Sequence, residues 1–307
     1  MRVVFMGTPD FAVASLRRLV EDGHKVCGVF TQPDKPGNRK RITMPPVKEY
    51  AMSRSIPVFQ PAHMRDAEAV EQLRALAPEL VVVAAYGQIL PEAVLSAPAL
   101  GCINVHASIL PKYRGAAPIN RAILDGETET GVTIMHMAKR LDAGDIISVR
   151  TTPIASDEDA EALFARLAVL GAELLSDTIP SIVDGTAIRI PQNEAEATYA
   201  HMLSRELSPI DWTQSARAVV NQVRALVPWP CATAMLCGSP AKVWKAALGG
   251  GTGDPAGTFR AAKDGVLAAC GDGNAVLITE LQTEGGKRLS ASAWLNGKRA
   301  AAGSVLV

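Results

Sequence analysis

The sequence predicts an α/β protein in which a Rossmann-like, doubly wound and mostly parallel sheet domain is followed by a small OB-like β-barrel domain. The chain has 307 residues, which exceeds the usual size of one domain. In its first part, short apolar runs alternate with segments of helical spacing, a pattern typical of βαβ crossovers. Beyond about residue 207, shorter apolar runs are separated by turn residues. We therefore expect a first domain at 1–187, a linker at 188–206 and a second domain at 207–307.

Four apolar runs predict strands in the first domain, at residues 2–6, 25–31, 80–85 and 101–105. The third run has almost no alternation, which is typical of a strand covered by helices on both faces. After the first run, Gly7 begins a turn, and apolar residues at helical spacing then predict a helix that Gly23 closes. The turn lacks the Gly-x-Gly-x-x-Gly series of dinucleotide-binding proteins, so we expect no nicotinamide-type cofactor. A helical run at about 158–184 closes the domain.

The second half of the chain has a different pattern. Residues 188–206 are polar and have no sustained periodicity, which predicts a linker. A helix is predicted near 215–226, and the brief apolar runs that follow, of which 276–281 is the clearest strand, favour a small barrel or sandwich. The net charge of the chain is zero, but residues 207–307 carry ten Lys or Arg against six Asp or Glu. This excess of four positive charges supports a boundary between two domains.

The composition excludes several classes of protein. No run approaches the ~20 apolar residues that span a bilayer. The apolar run at the start of the sequence is too short for a secretory signal. We therefore expect a cytoplasmic protein without a membrane partner. The five cysteines are odd in number, scattered and without a Cys-x-x-Cys pair. This argues against a disulfide framework or a structural zinc site, and we expect no metal.

The densest group of polar residues follows the fourth predicted strand. Asn104 and His106 alternate with apolar residues, so both side chains lie on one face of the strand. They stand at its carboxyl end, where open α/β sheets place their ligand crevice. An amide and an imidazole can stabilise a carbonyl oxygen that gains negative charge. Spacing alone leaves open the alternative that His106 is a structural residue satisfied by backbone groups.

A second candidate is the turn between strands predicted at 131–137 and 146–153. Asp142 lies in this turn, where it either caps its own backbone or orients His106 and helps to move a proton. Asp145 is a competing carboxylate three residues later, and spacing cannot choose between the two. A third candidate is the basic loop at 35–41, with Lys35, Arg39, Lys40 and Arg41. Such a loop is either solvated surface or a binding site for phosphates.

Beyond these patterns, the chain resembles the methionyl-tRNA formyltransferase family. The segments that carry the resemblance in the first domain are FMGTPDFA (5–12), VFTQPDKP (29–36), VVAAYGQILP (82–91), GCINVHASILPKYRGAAPI (101–119), GVTIMHM (131–137) and LDAGDI (141–146). Farther along, it is carried by Tyr199, Ile210-Asp211-Trp212, Pro228-Trp229-Pro230 and Lys242-Val243-Trp244-Lys245-Ala246. The resemblance therefore covers nearly the whole chain.

The resemblance implies transfer of the formyl group of 10-formyltetrahydrofolate to the α-amino group of methionyl-initiator-tRNA, for translation initiation. Asn104, His106 and Asp142 resemble the catalytic trio, which implies direct attack through a tetrahedral intermediate that Asn104 and His106 stabilise while Asp142 assists proton transfer. The residues that resemble the folate-contacting loop are Ser108, Ile109, Leu110 and Pro111. The basic loop and the second domain resemble parts that contact tRNA. The family also implies catalysis without a metal, and we expect a monomer.

Some residues depart from the family pattern. The common Ser-Leu-Leu-Pro reads Ser-Ile-Leu-Pro here, residues 138–140 lack the usual acidic residue and glycine, and the basic loop is slightly short. A formyltransferase that acts on a sugar amine or a nucleotide precursor remains an alternative, because such enzymes share the trio. A formyl hydrolase and an RNA-binding protein with a degenerate enzyme domain are also possible, although the intact trio argues against the latter.

Overall fold

The computed structural model describes residues 1–36, 42–299 and 301–306, which form two compact units. The first unit contains residues 1–118, 129–152 and 164–200, and the second contains 119–128, 153–163 and the chain from 201 onward. The stretches 119–128 and 153–163 therefore pack with the second unit, although they lie inside the predicted range 1–187. The first unit extends to residue 200, well into the predicted linker.

The first unit is built on a seven-stranded sheet. Its strands are β1 (Arg2–Gly7), β2 (Lys25–Phe30), β5 (Val58–Phe59), β6 (Leu80–Ala84), β7 (Cys102–His106), β9 (Glu129–His136) and β10 (Ile146–Pro153). Their order is β10-β9-β7-β6-β1-β2-β5, and the strands from β7 to β5 are paired in parallel. Strand β9 is antiparallel to β7. The predicted doubly wound, mostly parallel sheet is therefore confirmed.

Short strands and helices complete this unit. Two-residue strands form two small ladders, one between β3 (Lys35–Pro36) and β4 (Ile42–Thr43) and the other between β8 (Arg114–Gly115) and β11 (Tyr199–Ala200). The helices are α1 (Asp10–Glu21), α2 (Pro46–Ser53), α3 (Ala67–Ala75), α4 (Glu92–Leu95) and, mostly within this unit, α6 (Ala160–Val183). Every residue of β6 is buried, as the uninterrupted apolar run predicted.

Glycine explains the tight turn between β1 and α1. A Cβ atom on Gly7 would lie 2.6 Å from Cβ of Ala12 and 2.9 Å from the carbonyl oxygen of Ala84. Gly7 therefore allows helix and neighbouring strand to approach closely. Gly23 follows the helix with a φ of +77° and donates its amide to the carbonyl of Val20, as the sequence predicted for the helix end.

The second unit is a small antiparallel β domain. Its strands are β12 (Ala232–Leu236), β13 (Ser239–Gly251), β14 (Phe259–Ala262), β15 (Gly265–Ala269), β16 (Asn274–Thr283) and β17 (Leu289–Ser290). They follow the order β12-β13-β16-β15-β14, with β17 paired to β16. The register between β13 and β16 shifts at three places, and such bulges bend a strand. Its helices are α5 (Pro118–Leu124), α7 (Ala216–Ala225) and α8 (Ala291–Lys298). The helix predicted near 215–226 and the strand at 276–281 are confirmed.

The described parts of the chain offer neither a helix suited to a membrane nor a cluster of metal ligands. Among the helices of residues 1–36, 42–299 and 301–306, none combines the length and apolar character that crossing a membrane requires. Within the same ranges, no group of three or more His, Cys, Asp or Glu side chains is arranged to hold a metal ion.

Candidate active site

Asn104 and His106 lie side by side at the carboxyl end of β7, on the same face of the strand. Both side chains are buried. The opposite face of the strand is held by packing, because a Cβ atom on Gly171 of α6 would lie only 2.9 Å from Cγ1 of Val105. The predicted alternation along β7 is confirmed: one face anchors the strand, and the other presents an amide and an imidazole.

The contacts of His106 define the roles of its two ring nitrogens. Nε2 lies 3.0 Å from the carbonyl oxygen of Tyr113. A carbonyl oxygen can only accept, so Nε2 carries a proton and donates it to Tyr113. Nδ1 faces the other way and lies 3.8 Å from Oδ2 of Asp142. Nε2 is therefore hydrogen-bonded to the backbone, and Nδ1 faces the carboxylate of Asp142.

Asp142 reaches this site from the turn between β9 and β10. Its Oδ2 accepts a 2.8 Å hydrogen bond from the amide of Gly115, and its Oδ1 lies 3.5 Å from Nδ2 of Asn104. Asp145 instead forms an ion pair with Arg189 at 3.0 Å. The structure thus places Asp142, rather than Asp145, beside Asn104 and His106. Their catalytic role stays a prediction.

The segment predicted to contact folate is divided between buried and accessible side chains. Ser108 is fully buried, and its hydroxyl donates to the carbonyl of Lys112 at 2.6 Å. Leu110 is buried in a cluster with Met135 and Ile146. These two side chains stabilise the loop from within. Ile109 and Pro111 are half-buried, so they are the two predicted folate contacts whose side chains retain accessible surface.

Three of the predicted tRNA-binding residues, Arg39, Lys40 and Arg41, lie outside the described residues. Lys35 forms the start of the β3–β4 ladder. Next to this ladder, Nζ of Lys48 donates to Oδ1 and Oδ2 of Asp34 at 2.9 and 2.7 Å and to Oε1 of Gln60 at 2.7 Å. The hydrogen bond from Lys48 lowers the pKa of Asp34. The chain that enters the basic loop is therefore fixed to α2 and to the end of β5.

Sequence reasoning missed three residues that support the site. The side-chain amide of Gln192 donates to two carbonyls of the Asp142 turn, at residues 142 and 144. Arg114 donates to Gln192 and also to Glu194. Gln192 and Glu194 lie in the predicted linker, about 80 positions from Arg114 along the chain. No spacing rule connects them, and Arg114 follows Lys112 and Tyr113 in sequence, so nothing in the pattern indicated that its side chain is buried.

The Asp142 turn has no room for a side chain at position 144, which is occupied by glycine. A Cβ atom at this position would lie 1.9 Å from the carbonyl oxygen of His136, a backbone atom that cannot move without disturbing β9. We expect Gly144→Ala to lower the free energy of unfolding by about 1–3 kcal/mol, the usual cost of such overpacking. Equilibrium urea denaturation measures this. Gly253→Ala is the control, because no atom lies within 4 Å of its Cβ position. Equal stability of the two variants would contradict the prediction.

Comparison with known protein families covers both units. A family model described as formyl transferase matches residues 1–179. A second model, described as the C-terminal domain of formyl transferase, matches residues 202–299. The site described above lies mainly within the first match, and residues 192 and 194 fall between the two.

Three similar proteins are named methionyl-tRNA formyltransferase. The protein from Geobacter sulfurreducens is 46% identical over 307 residues, covering 100% of this chain and 96% of its own. The protein from Halalkalibacterium halodurans is 49% identical over 311 residues, covering 100% and 98%. The protein from Bacillus subtilis is 46% identical over 308 residues, covering 99% and 97%.

Solved structures share the fold at lower identity. An N-formyltransferase from Helicobacter canadensis, in complex with folinic acid and dTDP-3-aminofucose, is 20% identical with a TM-score of 0.70 and covers 90% of this chain and 98% of its own. HypX from Aquifex aeolicus, in complex with tetrahydrofolic acid, is 19% identical with a TM-score of 0.63 and covers 100% and 50%. At these identities the likeness shows the fold alone.

Proposed function

The chain belongs to the methionyl-tRNA formyltransferase family, and we propose that it transfers the formyl group of 10-formyltetrahydrofolate to the α-amino group of methionyl-initiator-tRNA. The observation that carries this proposal is the identity of 46–49% over essentially the full length of relatives with that name. The arrangement of Asn104, His106 and Asp142 supports it, because it supplies the groups that acyl transfer to an amine requires.

Asn104 and His106 are proposed to bind the formyl oxygen as it gains negative charge. The amide of Asn104 is a donor, and Nδ1 of His106 becomes one when the ring is protonated. Both are buried, and a hydrogen bond to a developing charge is stronger where water is excluded. Because Nε2 is held by the carbonyl of Tyr113, Nδ1 is the nitrogen left for this task. No covalent enzyme intermediate is needed.

Asp142 is proposed to stabilise the protonated ring and to help move the proton of the attacking amine. Its carboxylate lies 3.8 Å from Nδ1 of His106, close enough for strong electrostatic attraction in a buried site. In the reaction, a bond forms between the amine nitrogen and the formyl carbon, and the bond from that carbon to N10 of the folate breaks. The proton lost by the amine is taken up by N10, so the products are the formylated amine and tetrahydrofolate.

The folate donor is proposed to lie at the carboxyl edge of the sheet. The half-buried side chains of Ile109 and Pro111 offer apolar contacts there. Such side chains suit a flat, partly apolar ligand such as a pterin. Ser108 and Leu110 are proposed to shape the loop from within.

The tRNA acceptor is proposed to be bound by the basic loop and by the second domain. Arg39, Lys40 and Arg41 supply positive charge, and Lys35 lies at the start of the loop. We propose that the protein acts in the cytoplasm, where initiator tRNA is charged and used. Action as a monomer is also part of the proposal, and size-exclusion chromatography with light scattering would check it.

One assay tests the function against its rival. Purified protein is given 10-formyltetrahydrofolate together with methionyl-tRNA or with a nucleotide-linked amino sugar as acceptor. We expect N-formylmethionyl-tRNA and no formylated sugar. A formylated sugar with unreacted tRNA would overturn the proposed acceptor, and release of formate without transfer would identify a hydrolase.

Neutralising the basic loop gives a prediction about salt. We expect the triple variant Arg39→Gln, Lys40→Gln, Arg41→Gln to use tRNA less well and to lower the slope of log(kcat/KM) against log[salt] by roughly 0.7–0.9 for each phosphate that the loop no longer neutralises. The matched control is Lys25→Gln, Arg54→Gln, Arg74→Gln, three exposed cations at the amino-terminal edge of the sheet. Equal slopes for the two triple variants would mean that the loop is ordinary solvated surface.

A further inference from the structure

Gln192 uses every polar group of its side chain next to Asp142. Its Nε2 donates to the carbonyl oxygens of Asp142 and Gly144, each at 2.8 Å. Its Oε1 accepts from Nε and Nη2 of Arg114, at 3.0 and 2.8 Å. The side-chain amide of Gln192 therefore joins the backbone of the turn that carries Asp142 to the guanidinium of Arg114 in β8.

Arg114 is an unusual residue to find in this position, because its side chain is only 1% exposed. A buried guanidinium is costly unless it is paired and hydrogen-bonded. Glu194 supplies the charge, accepting from Nη2 and Nη1 at 2.9 and 3.2 Å. The hydrogen bond with Glu194 raises the pKa of Arg114, and the pKa of Glu194 is lowered in turn. The guanidinium is thus fixed as a cation that directs two donors at Gln192.

The same strand holds the Asp142 turn from a second side. The residue after Arg114 is Gly115, whose amide donates to Oδ2 of Asp142 at 2.8 Å. Strand β8 is itself held by its parallel pairing with β11. The turn is therefore fixed twice: Gln192 holds its backbone, and Gly115 holds its carboxylate.

This support matters because the backbone of Asp142 is strained. Its φ is +46°, in the left-handed region that costs a side-chain-bearing residue about 1 kcal/mol or more. A change to negative φ at Asp142 would alter the direction of its carboxylate. The two hydrogen bonds from Gln192 to the carbonyls of residues 142 and 144 oppose such a change.

We propose that Gln192, held by Arg114, is a positioning residue that fixes the Asp142 turn and so keeps the carboxylate beside His106. The proposal rests on the formyl transfer proposed above. It also gives Gln192 and Glu194, which lie in the predicted linker 188–206, a structural role in the first unit. Neither residue is required to touch a substrate.

The first test is kinetic. Gln192→Leu keeps the approximate size of the side chain and removes its hydrogen bonds. We expect it to lower kcat by roughly 10–100-fold with little change in KM, because a misplaced Asp142 would weaken stabilisation of the transition state more than binding of the substrates. Gln222→Leu is the matched control, since the amide of Gln222 also donates to two backbone carbonyls, those of Leu207 and Pro209. A kcat for Gln192→Leu equal to that of the control would overturn the proposal.

A double variant separates positioning from a general loss of structure. If Gln192 acts through Asp142, then Gln192→Leu should lower kcat by less than about threefold when Asp142→Asn is already present. A purely structural defect would instead lower kcat by the same factor in both backgrounds. Full additivity of the two changes would therefore contradict the proposed role.

The last readout is independent of activity. In Gln192→Leu we expect hydrogen exchange of the Gly115 amide, measured by NMR, to accelerate by at least about tenfold, because its carboxylate acceptor moves away. Exchange of amides in β7 should not change. Unchanged exchange at Gly115 would overturn the positioning role even if formyl transfer proved wrong. If the wild type transfers formyl groups while Gln192→Leu is normal in both measurements, only the positioning role fails.

Discussion

Replacement of Asp142 by asparagine is expected to lower kcat for formyl transfer by roughly 10²–10⁴-fold, the usual scale for losing an acid–base or charge-stabilising group. The substitution keeps the shape of the side chain and removes its negative charge. His106 then loses the carboxylate that lies 3.8 Å from Nδ1. In the proposed mechanism, the proton of the attacking amine then has no nearby carboxylate to assist it. Steady-state kinetics with methionyl-tRNA measures the effect.

Asp145→Asn is the matched control for this prediction. Asp145 belongs to the same turn and carries the same charge, but its carboxylate is paired with Arg189 at 3.0 Å. We expect its kcat to stay within a few-fold of the wild type, because an exposed ion pair contributes little. If Asp145→Asn caused the larger loss, or if Asp142→Asn turned over normally, the assignment of the carboxylate would be wrong.

Local patterns were sufficient to predict the fold class and the shared face of two residues of the candidate site, Asn104 and His106. The buried run that became β6 and the alternation of Asn104 and His106 both depend on a short stretch of backbone. The rule that ligands bind at the carboxyl ends of parallel strands then predicted a ligand crevice beside the pair. These features could be read from the sequence because neighbouring residues determine them.

Other features depend on contacts between distant residues. Asp142 and Asp145 are equivalent in spacing, and the difference between them comes from a turn whose φ of +46° is stabilised by Gln192 and Gly115. Residues 188–206 have no periodicity, which predicted a linker, yet residues 192, 194 and 198–200 bind β8 and its flanks through individual hydrogen bonds. Burial of Ser108 and Leu110 likewise depends on how the loop folds back on β9 and β10.

His106→Ala is expected to lower kcat by roughly 10²–10⁴-fold as well, because in the proposed mechanism the oxyanion loses a hydrogen-bond donor and Asp142 loses the ring through which it acts. His136→Ala is the matched control. His136 lies on the neighbouring strand β9, and burial, with a contribution from Arg189, lowers its pKa, which disfavours its charged form. Measurements with methionyl-tRNA should give near-normal kcat for the control. Near-normal turnover in His106→Ala would remove the histidine from the mechanism.

The double variant His106→Ala, Asp142→Asn completes this argument. If the carboxylate acts through the imidazole, then most of its effect disappears once the ring is absent, and the loss in kcat is close to that of His106→Ala alone. If the two losses multiply, then Asp142 acts on the attacking amine independently of the ring. The distances favour the first result, because Nδ1 faces the carboxylate while Nε2 is bound to the carbonyl of Tyr113.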